Sequence, residues 1–261
     1  MKVTVFSSNQ PRHISLARQL GKIANEVFFI SESTTIFPGK VNDFFKKTEV
    51  MKTYFDEVIK AEKTIFGDIN FLPSNIRTLS IKIGDLNLLD RRQLEEALNS
   101  DVYIVFGATY ITSWLIDFLV ERGALNIHMG ISPYYRGSSC NFWALYDDNP
   151  SHVGATIHML SNGLDSGDML FHCLPSFSEG ISPFDFTMRA VLAAQHGLCQ
   201  SIHDRSIFTL KRVAQDKSHE IRYTKNSDFT DEVVSEFLNR QYSIDKSRLK
   251  SYPELLRPLY F

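Results

Sequence analysis

Asn126-Ile127-His128 is the pair best placed by residue type and spacing to do chemistry. Residues two apart on a strand point to the same face, so one amide and one imidazole stand side by side at a sheet edge. An amide N–H donates to an oxygen that gains negative charge, and an imidazole moves a proton near neutral pH. The loop Gly163-Leu164-Asp165-Ser166-Gly167-Asp168 is the next element. Its glycines let the backbone approach a ligand closely, and Asp165 has the charge to orient or stabilise His128. From these residues alone the plainer readings stay open: a strand-end Asn beside a partly exposed His, and a hairpin turn where Asp and Gly are ordinary. Asp165 and Asp168 as a metal pair is weaker, because no matching ligand cluster accompanies them.

Hydrophobic periodicity supplies the elements that must hold these residues. Strands are expected at 2–6, 27–31, 102–107, 124–128, 153–160 and 168–174, and helices at 14–25, 51–66, 91–99, 113–121, 141–147 and 184–204. Residues 32–50 read as irregular, with a Phe-Pro-Gly turn and the basic-aromatic run FFKK at 44–47. Strand–helix–strand spacing repeated twice predicts an α/β fold with an open, mostly parallel twisted sheet and helices on both faces. It also puts Asn126 and His128 at the C-terminal end of a parallel strand, where open α/β sheets place ligands. A catalytic domain over 1–205 and a less regular C-terminal extension over 206–261 are expected.

Composition removes several classes. The 261 residues carry 28 Lys and Arg against 30 Asp and Glu, a net charge of −2, so no strong field for nucleic acid or anionic lipid extends over the chain. The three cysteines, with no CxxC spacing, read as reduced thiols rather than a disulfide framework or zinc site. No segment has the length of a membrane span, and the N-terminus lacks a secretory h-region, so a cytoplasmic protein is expected. No G-x-G and no GxxxxGK occurs, which argues against a nicotinamide dehydrogenase or a P-loop enzyme.

The segment 124–170 resembles the central part of the 10-formyltetrahydrofolate-dependent formyltransferases. The matching pieces are Asn126/His128, Ser132-Pro133-Tyr134-Tyr135-Arg136-Gly137, Trp143-Ala144-Leu145, Gly154-Ala155-Thr156-Ile157-His158 and Leu164-Asp165-Ser166-Gly167-Asp168. One departure is Gly130-Ile131-Ser132, where many members have Ser-Leu-Leu. The resemblance implies a Rossmann-like formyltransferase fold and a catalytic triad of Asn126, His128 and Asp165. It implies 10-formyltetrahydrofolate as formyl donor, with no metal and no covalent intermediate. The stretch Phe106 to Ile111, with Phe106, Gly107, Tyr110 and Ile111, would cradle the pterin through backbone groups. Leu160, Gly163 and Leu164 would form the other wall.

For the acceptor, the turn Ser7 to His13 precedes a helix N-terminus, a natural anion site. The corresponding turn holds substrate phosphate in glycinamide ribonucleotide formyltransferase. Ser8, Asn9 and Arg12 are thus substrate-binding candidates, with Tyr135 and Arg136 from the following loop. A surface arginine on an ordinary turn is the alternative for Arg12. The chain length, the lack of a full C-terminal barrel and the charge best match the nucleotide-sugar N-formyltransferases, so the expected partners are a nucleotide-linked amino sugar and folate. Nucleic acid and membrane are not expected as partners, and the resemblance implies a homodimer. Methionyl-tRNA, glycinamide ribonucleotide, hydrolysis of the donor and a non-catalytic folate or nucleotide module are the alternatives.

Overall fold

The computed structural model describes residues 1–41, 47–240, 242, 244–249 and the backbone of 258–260. Residues Phe44, Phe45 and Lys46 of the FFKK run lie outside the described residues.

Five parallel strands organise the molecule: β1 (Lys2–Ser8), β2 (Glu26–Ser33), β3 (Ile76–Lys82), β4 (Val102–Phe106) and β5 (Leu125–His128). With β6 (Tyr135–Gly137) set apart, β7 (Ala155–Met159) runs antiparallel to β5, and β8 (Met169–Cys173) antiparallel to β7. Pro258–Tyr260, numbered β10, adds a parallel edge, giving the order β10-β8-β7-β5-β4-β1-β2-β3. β6 pairs instead with β9 (Arg222–Thr224) in a two-stranded ribbon. The chain runs outward from β1 to β3 and then returns to lay β4 on the other side of β1. This reversal opens a crevice at the carboxyl ends of β1 and β4.

Helices cover both faces, as the sequence predicts. On one face α1 (Pro11–Ile23), α2 (Glu49–Phe66) and α5 (Pro183–His203) pack together over Val3, Val5, Val27, Phe29 and Ile104. On the other, α3 (Ser113–Glu121) buries Leu115, Phe118 and Leu119 against Phe6, Phe28, Tyr103 and Val105. The strand interiors are apolar on both sides, which is what a doubly covered parallel sheet requires. A separate cluster joins α4 (Cys140–Tyr146) to α6 (Asp231–Asn239) through Phe142, Trp143 and Phe237.

Three expectations about elements need correction. The first helix runs from 11 to 23 rather than 14 to 25, because Pro11 occupies the first helical position, where its missing N–H costs nothing. The segment 91–99 forms successive turns, not a helix: Asp90 accepts from the amides of Arg92 and Gln93, and Glu95 and Asn99 bond three residues back. β3 was absent from the periodicity because it is largely exposed and carries no clean alternation. Among the described residues no helix is long and apolar enough to cross a membrane.

Candidate active site

The β5–β7 register creates the site. Asn126 lies opposite His158 and His128 opposite Thr156. β5 is therefore an interior strand, and the pair stands at the carboxyl end of the sheet rather than at a lateral edge. The β7–β8 connection then folds back over it. A Cβ at Gly167 would lie 1.7 Å from the Met159 carbonyl oxygen, so only glycine lets the loop press on the end of β7. Gln215 holds the loop from outside, donating to the Asp165 and Gly167 carbonyls at 2.8 and 2.9 Å. Asp165 itself adopts a left-handed φ of 45°, which Asp tolerates better than most residues. The hairpin turn and the functional loop are thus one structure.

Asn126, His128 and Asp165 come together as the resemblance implies. His128 Nδ1 is 3.3 Å from Asp165 Oδ2, and Asn126 Nδ2 donates to Asp165 Oδ1 at 3.1 Å. His128 Nε2 faces the Tyr135 carbonyl at 3.2 Å. That carbonyl can only accept, so both ring nitrogens face acceptors and the partners assign an imidazolium. Burial works against this charge, but the Asp165 carboxylate and the Cys140 sulfur beside the ring together outweigh it and hold the His128 pKa well above 6.5. Asp165 is likewise opposed by burial, yet His128 keeps its carboxyl well below its ordinary range. A Cβ at Gly130 would meet Cys140 Cβ at 2.6 Å and His128 Nε2 at 2.7 Å. The Gly130 departure from the family pattern therefore leaves room for Cys140 beside His128.

Asn126 differs from the expectation in one respect. Its second amide hydrogen goes to His158 Nε2 at 3.0 Å, while His158 Nδ1 donates to the Met159 carbonyl at 2.8 Å. Both N–H groups are committed, and Oδ1 is the atom left without a protein partner among the described residues. In this arrangement Asn126 offers an acceptor, and His128, with both ring nitrogens engaged, offers positive charge. His158 was quoted in the sequence only as part of a motif; its role emerges from the strand register.

A cavity of about 330 Å³ opens over this cluster. Phe106, Gly107, Tyr110 and Ile111 line one side and Leu160, Gly163 and Leu164 the other, so all seven expected donor-site residues meet there. The first wall is anchored by Glu32, which accepts from the Thr109 and Gly84 amides at 2.5 and 2.9 Å. The Tyr110 hydroxyl donates to the Asn162 carbonyl at 2.7 Å and ties the two walls together. Apolar side chains of Phe106, Ile111, Leu160 and Leu164 beside a few polar groups make a lining suited to a flat heteroaromatic ring.

A second cavity, of about 280 Å³, meets the first at Arg12, His128 and Met129. Its walls come from α2, α4, α5 and the segment after 205. Tyr54 stands at their centre, edge-on to Phe142, Phe184, Phe229 and Phe237. None of these aromatic residues could be placed from sequence, since they arrive from positions nearly 200 residues apart.

The other expected substrate residues are not gathered here. The Ser8 hydroxyl donates to the Glu32 carbonyl, and Asn9 exchanges two hydrogen bonds with the Thr34 backbone. Tyr135 is fully buried, its hydroxyl held by Asp147 and Asn149. Arg136 pairs with Glu220 at 2.9 Å. Only Arg12 reaches the cavities, and Glu62 engages both its amide, at 3.1 Å, and its guanidinium, at 2.8 Å. A carboxylate thus already occupies the α1 N-terminus where a phosphate was expected. Arg12→Ala should accordingly destabilise the protein by about 2 kcal/mol, because buried Glu62 loses its counter-charge and keeps only the backbone amide. Adding Glu62→Gln should recover part of that loss. Urea midpoints test this, and an unmoved midpoint in Arg12→Ala would show the pair to be idle.

The fold and this cluster define a class. Residues 88–196 match the formyl transferase family model, and that segment carries the Asn126–His128–Asp165 cluster. A curated relative is the methionyl-tRNA formyltransferase of Acidobacterium capsulatum, 37% identical over 84 residues, which cover 32% of this chain and 26% of the relative. The chain spans about a quarter to a third of the length of the curated relatives it matches. Among solved structures, a sugar N-formyltransferase from Shewanella superposes with a TM-score of 0.55 at 17% identity, covering 95% of this chain and 85% of that one. An N-formyltransferase from Helicobacter canadensis, solved with folinic acid and dTDP-3-aminofucose, gives 0.53 at 14% identity over 88% and 72%. At these identities the solved structures establish the fold.

Proposed function

We propose that the protein transfers a formyl group from 10-formyltetrahydrofolate to the amine of a nucleotide-linked amino sugar. The observation that carries this reading is that His128, within the Asn126–His128–Asp165 cluster, stands on the wall shared by two cavities. A group-transfer enzyme needs donor and acceptor to approach one catalytic group from two sides. 10-Formyltetrahydrofolate supplies an activated formyl carbon and leaves as tetrahydrofolate. The His128 imidazolium stabilises the formyl oxygen as it gains charge. Asn126 Oδ1 accepts an N–H of the incoming amine and aims its lone pair. Asp165 holds the positive charge on His128, and the amine proton passes to folate N10 as its bond to the formyl carbon breaks. The balance is one new C–N bond to the amine, one broken bond from the formyl carbon to folate N10, and one proton passed from amine to N10.

Amino sugars are favoured by the solved relatives, one of which holds dTDP-3-aminofucose. A second reading, formylation of methionyl-tRNA, is favoured by the names of the curated relatives. Tetrahydrofolate release should require an amine and should be supported by a member of a panel of nucleotide-linked amino sugars. Release supported only by methionyl-tRNA would select the second reading. Release without any amine would make the protein a hydrolase of the donor.

A further inference from the structure

His13 is a buried titratable group that this chemistry does not use. It lies on α1, is 3% exposed, and lines the 330 Å³ cavity between Arg12 and Phe106. Its ring packs edge-on against Phe106, with centroids 4.8 Å apart. Neither ring nitrogen has a hydrogen-bond partner among the described residues, and Nδ1 is sealed in the interior. Nε2 borders Gly107, close enough that a Cβ there would lie 2.6 Å away. Gly107 has a φ of 66°, so glycine serves both the turn and the approach to this imidazole.

A buried polar group without a partner lowers stability, and such groups are rare in folded chains. Burial, reinforced by the neighbouring Arg12 charge, holds His13 well below 6.5, so the ring is neutral and has one N–H donor to give. An orphaned N–H is costlier than an under-used acceptor, which puts the hydrogen on Nε2 and leaves the sealed Nδ1 bare. The cavity wall therefore presents a neutral donor whose partner is not in the protein.

We infer that His13 is a positioning residue for the formyl donor, its Nε2–H bonding a carbonyl oxygen of the bound folate beside Gly107. This rests on the formyl-transfer reading, and it adds a contact that the triad does not provide. Because the ring is neutral, it orients the folate without competing with His128 for negative charge.

The test uses folinic acid and tetrahydrofolate as probes and titrates them into the full chain by tryptophan fluorescence or calorimetry. His13→Phe keeps the packing on Phe106 and removes the donor. It should weaken both probes about five- to tenfold, the scale of one neutral hydrogen bond. His13→Gln, which restores an N–H near Nε2, should recover most of the affinity. In turnover, His13→Phe should raise the KM for 10-formyltetrahydrofolate and leave the acceptor KM unmoved. Equal binding by wild type and both variants would overturn the proposal and reduce His13 to packing. So would a loss in His13→Phe that His13→Gln does not recover, or a change in the acceptor KM alone. Wild-type protein that binds neither probe would instead overturn the folate reading itself, and the inference with it.

Discussion

His128→Gln is expected to lower amine-dependent tetrahydrofolate release by roughly 10²–10⁴-fold while donor binding holds within a few-fold. Glutamine can still donate to the Tyr135 carbonyl, which His128 Nε2 reaches at 3.2 Å. It cannot carry the positive charge that Asp165 maintains on the ring. The variant therefore isolates charge from hydrogen bonding, which alanine would not do. The loss should appear in the turnover number, because an oxyanion exists only on the way to product. Single-turnover kinetics with folate at saturation, alongside a direct binding titration, separate the two terms. Retained turnover would remove His128 from the chemistry and leave the cluster as a structural ion pair.

The sequence made half of this site visible, for physical reasons that differ residue by residue. Asn126 and His128 stand out because a strand has period two, and the α3 pattern before them fixes the strand end. Asp165 stands out because a Gly-flanked loop follows a β-rich run. The direction in which Asn126 points is another matter. It depends on His158, which faces it only through the antiparallel β5–β7 register. The setting of Arg12 is hidden for a similar reason. Nothing near Arg12 in the chain reveals that Glu62, fifty residues later, reaches back to cap it. Tyr135 and Arg136 looked available because they sit in a polar loop, yet β6–β9 pairing and the Asp147, Asn149 and Glu220 contacts turn them inward. The second cavity is built from Tyr54, Phe184 and Phe237, and long-range aromatic packing has no local signature.

Asp165→Asn should be nearly as damaging as loss of His128, with a different pH signature. Replacing the carboxylate removes the larger of the two influences that favour protonated His128, leaving Cys140 to oppose burial, so the imidazole pKa falls. At neutral pH the variant ring carries less charge, so turnover should fall by roughly 10²-fold. In the wild type, the rate that depends on the imidazolium is present at neutral pH and is lost as pH rises through the elevated His128 pKa. In Asp165→Asn that alkaline limb should move to lower pH. Stability carries the same signs. Asp165 is held below its ordinary 3.8, so its contribution is present above that value and disappears as pH falls through the folded value. His128 is held above its ordinary 6.5, so its contribution is present below 6.5 and disappears as pH rises through the folded value. The gap in Tm between wild type and variant should therefore be widest between about pH 4 and 6.5 and close on either side. Parallel Tm curves together with an unshifted alkaline limb would mean that the carboxylate does not set the charge on His128, and the proton would have to be held by other partners.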